Sequence, residues 1–145
     1  MKKLFLITVM ISILFLCGCA TLSESTIPER EPDIRGVITY LEENDGNYTM
    51  MVVWTEGLGE VLDYDAASVY VNQDTFVWEE QNGVTSKVDA AHLVVGDIVS
   101  VWFVGPVAES YPVQVGSSDV LIGGSFSGNE YPTPKGLSPE MLSGE

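Results

Sequence analysis

The chain has little of what most site chemistry is built from. Among 145 residues there are two cysteines and one histidine. Both cysteines, Cys17 and Cys19, close an amino-terminal leader, so the domain beyond them has no thiol for a disulfide, a zinc site or a nucleophile. His92 stands alone, and a histidine-rich metal site and a Ser-His-Asp triad both lack material. Neither a cofactor nor a metal is expected. Basic residues are also scarce, six Lys and Arg against 21 Asp and Glu, a balance that repels phosphate backbones and excludes nucleic acid as a partner. Helical signal is confined to one short stretch. Without staples or helices, the domain must be held by an apolar core and β ladders.

What is present begins with the leader. Lys2 and Lys3 precede an apolar run from Leu4 to Leu16, which falls short of the roughly 20 residues that span a bilayer and reads as the hydrophobic core of a secretory signal. Leu16-Cys17-Gly18-Cys19 resembles a lipobox, the site at which bacterial lipoproteins are diacylated on cysteine and cut just before it. Cys17 departs from the small residue usual at its position. The reading is a signal peptide over residues 1–18 and lipidation at Cys19. Two acyl chains suffice for stable anchoring, at about 0.8 kcal/mol per buried CH₂. The protein is then extracytoplasmic, held on the cell membrane or on an outer membrane where the host has one. Loss of Lys2 and Lys3 leaves Arg30, Arg35, Lys87 and Lys135 against 21 acidic residues, a net charge of −17 (four minus 21). Residues 19–33 are polar and acidic with two prolines and read as a tether, whose flexible part of about 13 residues spans on the order of 20 Å.

The folded part is predicted over residues 34–122. Strand character appears at Ile34 to Leu41, where Gly36 marks a bulge or bend, and returns at Tyr48 to Thr55 after the hairpin signal Asp45-Gly46. Ala67 to Val71 alternates cleanly. Asn72-Gln73-Asp74 then interrupts before Thr75 to Trp78, giving one bulged strand or two short ones. After Asn82-Gly83, Asp89 serves as an N-cap for one helical turn at Ala90 to Leu93, stopped by Gly96. Ile98 to Val104 is apolar on both faces, as in a central or barrel strand. A turn from Gly105 to Pro112 leads into Val113 to Ile122, as a strand pair or one kinked strand. This order predicts an all-β fold, an OB-like five-stranded barrel with one short helix before the fourth strand. A β-sandwich is the alternative. Residues 123–145, rich in Gly, Ser and Pro, read as a disordered tail.

DYDAASVYVNQDT from Asp63, LVVGDIVSVWF from Leu93 and GPVAESYPVQ from Gly105, in this order, resemble domain-of-unknown-function family 3221, small exported and often lipidated proteins that include the YobA-like lipoproteins. The resemblance covers about Ile34 to Ile122. It implies an OB-like domain on an envelope or secreted protein and carries no activity to transfer.

Candidate binding groups are Glu109, Ser110, Tyr111 and Gln114 on the turn after the central strand, where small barrels present such groups. Glu109 and Gln114 can equally satisfy backbone N–H groups there, with Pro112 fixing the geometry. Trp54, Tyr70, Trp78 and Trp102 form either an aromatic binding face or core and barrel cover, and Tyr70 and Trp102 are taken as ligand-binding candidates. Glu79 and Glu80 point to opposite faces of a strand, while Asp63 and Asp65 can either share a face or bind calcium, although neither DYDAAS nor ENDGN has the ligand count of a calcium loop. The reading is a monomeric, non-catalytic envelope lipoprotein that binds a small ligand, peptide or protein partner. The alternatives are a carboxylate-dependent hydrolase using Asp63 or Glu109, and a purely structural acidic envelope protein.

Overall fold

Alternating apolar residues and two turn pairs that adopt positive φ set the strand pattern. The computed structural model describes residues 26–136. Within them lie β1 (Ile34–Asn44), β2 (Asn47–Val53), β3 (Ala66–Val71), β4 (Phe76–Gln81), β5 (Val84–Val88), β6 (Asp97–Ala108) and β7 (Val113–Ser125). Helix among the described residues is limited to two 3-10 turns, Glu56–Leu58 and Ala90–His92. Asp89 caps the second as expected, its Oδ1 accepting the Ala91 N–H at 2.8 Å. At the β1–β2 turn Asp45 and Gly46 have φ of 52° and 77°, the positive pair that a type I′ hairpin needs.

Antiparallel pairing joins β1 to β2, β2 to β3, β1 to β6 and β6 to β7, and a parallel ladder between β3 and β7 closes the ring. The fold is all-β, a closed five-stranded barrel β1-β2-β3-β7-β6 with OB-like topology and two outer strands. Those outer strands exist because β7 is long enough to serve two partners. Its residues Val113 to Gly116 pair with β3 and Asp119 to Ile122 with β4. At the switch the Ser117 hydroxyl donates to the Tyr70 carbonyl at 3.0 Å, while the Thr75 hydroxyl donates to the Ser117 carbonyl at 2.8 Å. The segment from Val113 is thus one continuous strand with irregular register. The interruption at Asn72 separates two strands: the Asn72 Oδ1 accepts the Asp74 N–H at 2.8 Å and turns the chain. β5 has no counterpart in the sequence reading. Asn82 and Gly83, at φ 54° and 75°, make a second hairpin turn that pairs it with β4.

The barrel is filled by Ile34, Ile38, Met50, Val52, Val69, Val99, Val101 and Val120, all fully buried. Gly36 answers to a close approach: a Cβ there would lie 2.6 Å from the Val53 carbonyl oxygen. The register shift of β1 falls instead around Thr39, between Ile38 and Tyr40. The outer face of β6 is covered by the end of the predicted tether. Trp102, 4% exposed, donates its indole N–H to the Arg30 carbonyl at 2.8 Å, and Asp33 accepts both the Arg30 guanidinium at 2.9 Å and the Phe103 N–H at 2.7 Å. At the other end, β7 continues past Ile122 to Ser125, and residues 126–136 run on over the barrel. Cys19, the leader and residues 137–145 of the tail lie outside the described residues.

Candidate functional site

The β2–β3 connection, residues 54–65, and the β6–β7 turn meet because β3 and β7 start together, Ala67 beside Val113. The connection is closed at its base by the Trp54 N–H donating to the Asp65 carbonyl at 2.8 Å. The Trp54 indole N–H donates to the Gly59 carbonyl at 3.1 Å, which fixes the ring. From the opposite side Tyr111, 48% exposed, brings its hydroxyl to 3.4 Å from the Asp65 Oδ2. The same hydroxyl accepts the Lys135 N–H at 2.9 Å, and the Lys135 Nζ lies 3.6 Å from the Asp65 Oδ2.

Two open clefts flank this cluster. One, of about 260 Å³, extends past Val61, Leu62 and Asp63; the other, of about 190 Å³, extends past Thr55, Glu56 and Pro134. Trp54, Asp65, Tyr111 and Lys135 line both. Aromatic walls beside carboxylates suit a ligand with an apolar body and a cationic or hydroxylated end. Among the described residues no three His, Cys, Asp or Glu side chains are grouped so as to hold a metal ion.

The predicted site residues are distributed unevenly around this cleft. Tyr111 is in it. Glu109 is exposed on the turn and does not line either cleft. Ser110 and Gln114 serve the turn, the Ser110 hydroxyl donating to the Pro112 carbonyl at 2.8 Å and the Gln114 amide reaching the Ser110 hydroxyl at 3.4 Å. The Tyr111–Pro112 peptide bond is cis. Trp102 lies beneath Arg30, and Trp78 is buried with its indole N–H on the Asp119 carboxylate at 3.0 Å. Tyr70 is exposed in a separate cleft of about 330 Å³ with Glu42, Asn44, Asp45, Asn47 and Thr49. The four aromatics therefore do not share a face. Asp63 and Asp65 do line one cleft together.

Away from the cleft, His92 faces Glu79, Nδ1 to Oε2 at 3.7 Å. Nearby Asp97 is buried and accepts the Val94 N–H at 3.0 Å. Burial pushes its carboxyl above the ordinary range; the Val94 N–H opposes the shift and the Glu79 charge adds to it.

Sequence reasoning missed Pro134 and Lys135. Their signal was present: two prolines around Thr133, followed by the single cation of a Gly/Ser/Pro-rich tail. Comparison of the chain with protein-family models, curated proteins and solved structures gives no match.

Proposed function

We propose that the protein is an extracytoplasmic lipoprotein, anchored through Cys19, whose barrel is a non-catalytic binding module for a small ligand, peptide or protein partner. A basic and apolar leader ending in Leu16-Cys17-Gly18-Cys19 supports the anchor, and the resemblance to family 3221 agrees with it. The observation that carries the binding reading is the convergence of Trp54, Asp65, Tyr111 and Lys135 between two clefts at one end of the barrel. A half-exposed tyrosine held by a carboxylate presents a fixed aromatic surface at little entropic cost, which is what a recognition surface requires.

Two substitutions test the two halves of this reading. Cys19→Ser is expected to move the protein from the membrane to the soluble fraction, and retention on membranes contradicts the anchor. Tyr111→Ala is expected to abolish partner crosslinking with the melting temperature held within about 2 °C, a small change for a domain of this size. Unchanged partner capture by a well-folded Tyr111→Ala protein contradicts the site.

A further inference from the structure

Residues 126–136 form neither helix nor strand, yet they are held on the barrel at several points. The Phe126 N–H donates to the Gly96 carbonyl at 2.7 Å, and the Tyr131 hydroxyl lies against Gly96, where an added Cβ would meet it at 3.0 Å. Further along, Pro134 is fully buried, beside the cleft shared by Trp54 and Tyr111. Lys135 then places its backbone N–H on the Tyr111 hydroxyl and its ammonium by Asp65.

We infer that the Trp54–Tyr111 cleft is a groove for an extended peptide carrying a Pro-Lys pair, and that residues 133–135 lie along it as an intramolecular stand-in for a partner's segment. The inference rests on the binding reading above and names its ligand class. Three features of the strap are read by three different groups. The proline is fully buried and lines the same cleft as Trp54 and Tyr111, in keeping with the general recognition of pre-extended Pro-rich chains beside aromatic side chains. A main-chain N–H is taken by a tyrosine hydroxyl, which any peptide other than one with proline there can supply. An ammonium faces Asp65, with Glu56 and Asp63 on the same clefts.

The strap is also built to be displaced. The Lys135 side chain is 83% exposed, and ion pairs at such positions contribute little. Among the described residues, no backbone–backbone hydrogen bond holds the strap beyond Phe126. What favours it is tethering, which gives a flexible segment an effective concentration in the millimolar range near its own groove. A partner peptide supplied in trans must overcome that advantage. The net charge of −17 left after removal of the leader, in contrast, attracts a basic segment and speeds its encounter.

The test uses the full chain and a fluorescent peptide of sequence Tyr-Pro-Thr-Pro-Lys-Gly with blocked ends, followed by anisotropy. Pro134→Gly combined with Lys135→Ser releases the strap. That variant is expected to bind the peptide at least 10-fold more tightly than the unaltered chain, and adding Asp65→Asn is expected to remove most of the gain. A peptide with Glu in place of Lys is expected not to bind. If the double variant melts early, Lys135→Glu alone, an exposed change that leaves Pro134 in place, is expected to show a smaller increase of the same sign, and no increase in a folded Lys135→Glu protein would count against the inference. No peptide binding by a folded released variant, equal affinity with and without release, or a gain insensitive to Asp65 would each overturn the inference. Self-association of the released chain that excludes the peptide would do so as well. Failure of the peptide while partner crosslinking still depends on Tyr111 would reject the Pro-Lys class and leave the binding reading standing.

Discussion

Asp97 is pulled in opposite directions by its burial and by the Val94 N–H it accepts, and burial wins. Its carboxyl keeps a proton to higher pH in the folded chain than at the ordinary value of 3.8. The folded state therefore binds more protons between those two pKa values, and the stability contribution, full below 3.8, is lost as pH rises through the folded value. Asn at this position keeps an acceptor for Val94 without the charge. Asp97→Asn is accordingly expected to be more stable than the unaltered protein by a margin that grows from pH 4 to pH 7 in urea unfolding; a constant or shrinking margin contradicts this. The buried indoles allow a second comparison. Trp78→Phe leaves the buried Asp119 carboxylate without its donor and is expected to cost about 2 kcal/mol. Trp102→Phe removes a donor from the carbonyl of exposed Arg30, which water can replace, and the lost hydrogen bond is expected to cost about 1 kcal/mol, within the usual net range. Both are read from denaturant midpoints. At this scale the sequence showed that the tryptophans mattered; it could not show which side each would face, because that depends on β7 and on the Arg30 segment lying over them.

Strands with one buried face were legible, and strands without one were not. β1, β3 and β6 alternate or are apolar throughout, so periodicity located them and predicted the closed barrel. β5 is Val-Thr-Ser-Lys-Val with four exposed residues and a partly buried fifth, so it carries no burial pattern; only the Asn82-Gly83 turn marked it. The double pairing of β7 was hidden for a different reason: parallel ladders join segments far apart in sequence and leave no local signal. Gly36 was noticed for its residue type, but the bulge it was read as marking falls around Thr39 instead. The glycine sits where β1 and the end of β2 nearly touch, so Gly36→Ala must push the Val53 backbone away from a 2.6 Å contact. The expected loss is about 3 kcal/mol, the upper part of the overpacking range, measured by thermal or denaturant unfolding. A loss under about 0.5 kcal/mol, typical of a neutral surface change, would mean that the approach is readily relaxed.

For the whole molecule, we propose that an acidic barrel presents one recognition end, formed where the β2–β3 connection, the β6–β7 turn and the carboxy-terminal strap meet. Its parts were only partly visible in the sequence. Tyr111 and the pair Asp63 and Asp65 drew notice by residue type, whereas Lys135 lay in what composition marked as tail, and its place by Asp65 is a product of the strap's path over the barrel. Among the other candidates, Glu109 on the same turn and Gln114 at the start of β7 stand outside the two clefts. Site-specific photo-crosslinking in the cell tests the claim most directly, with the probe placed at Val61, exposed beside the cleft, or at Val84, exposed on the outer hairpin. A discrete adduct is expected from Val61 that disappears in the Tyr111→Ala background, and none from Val84. Adducts from Val84 alone, or from both positions regardless of Tyr111, would contradict the claim.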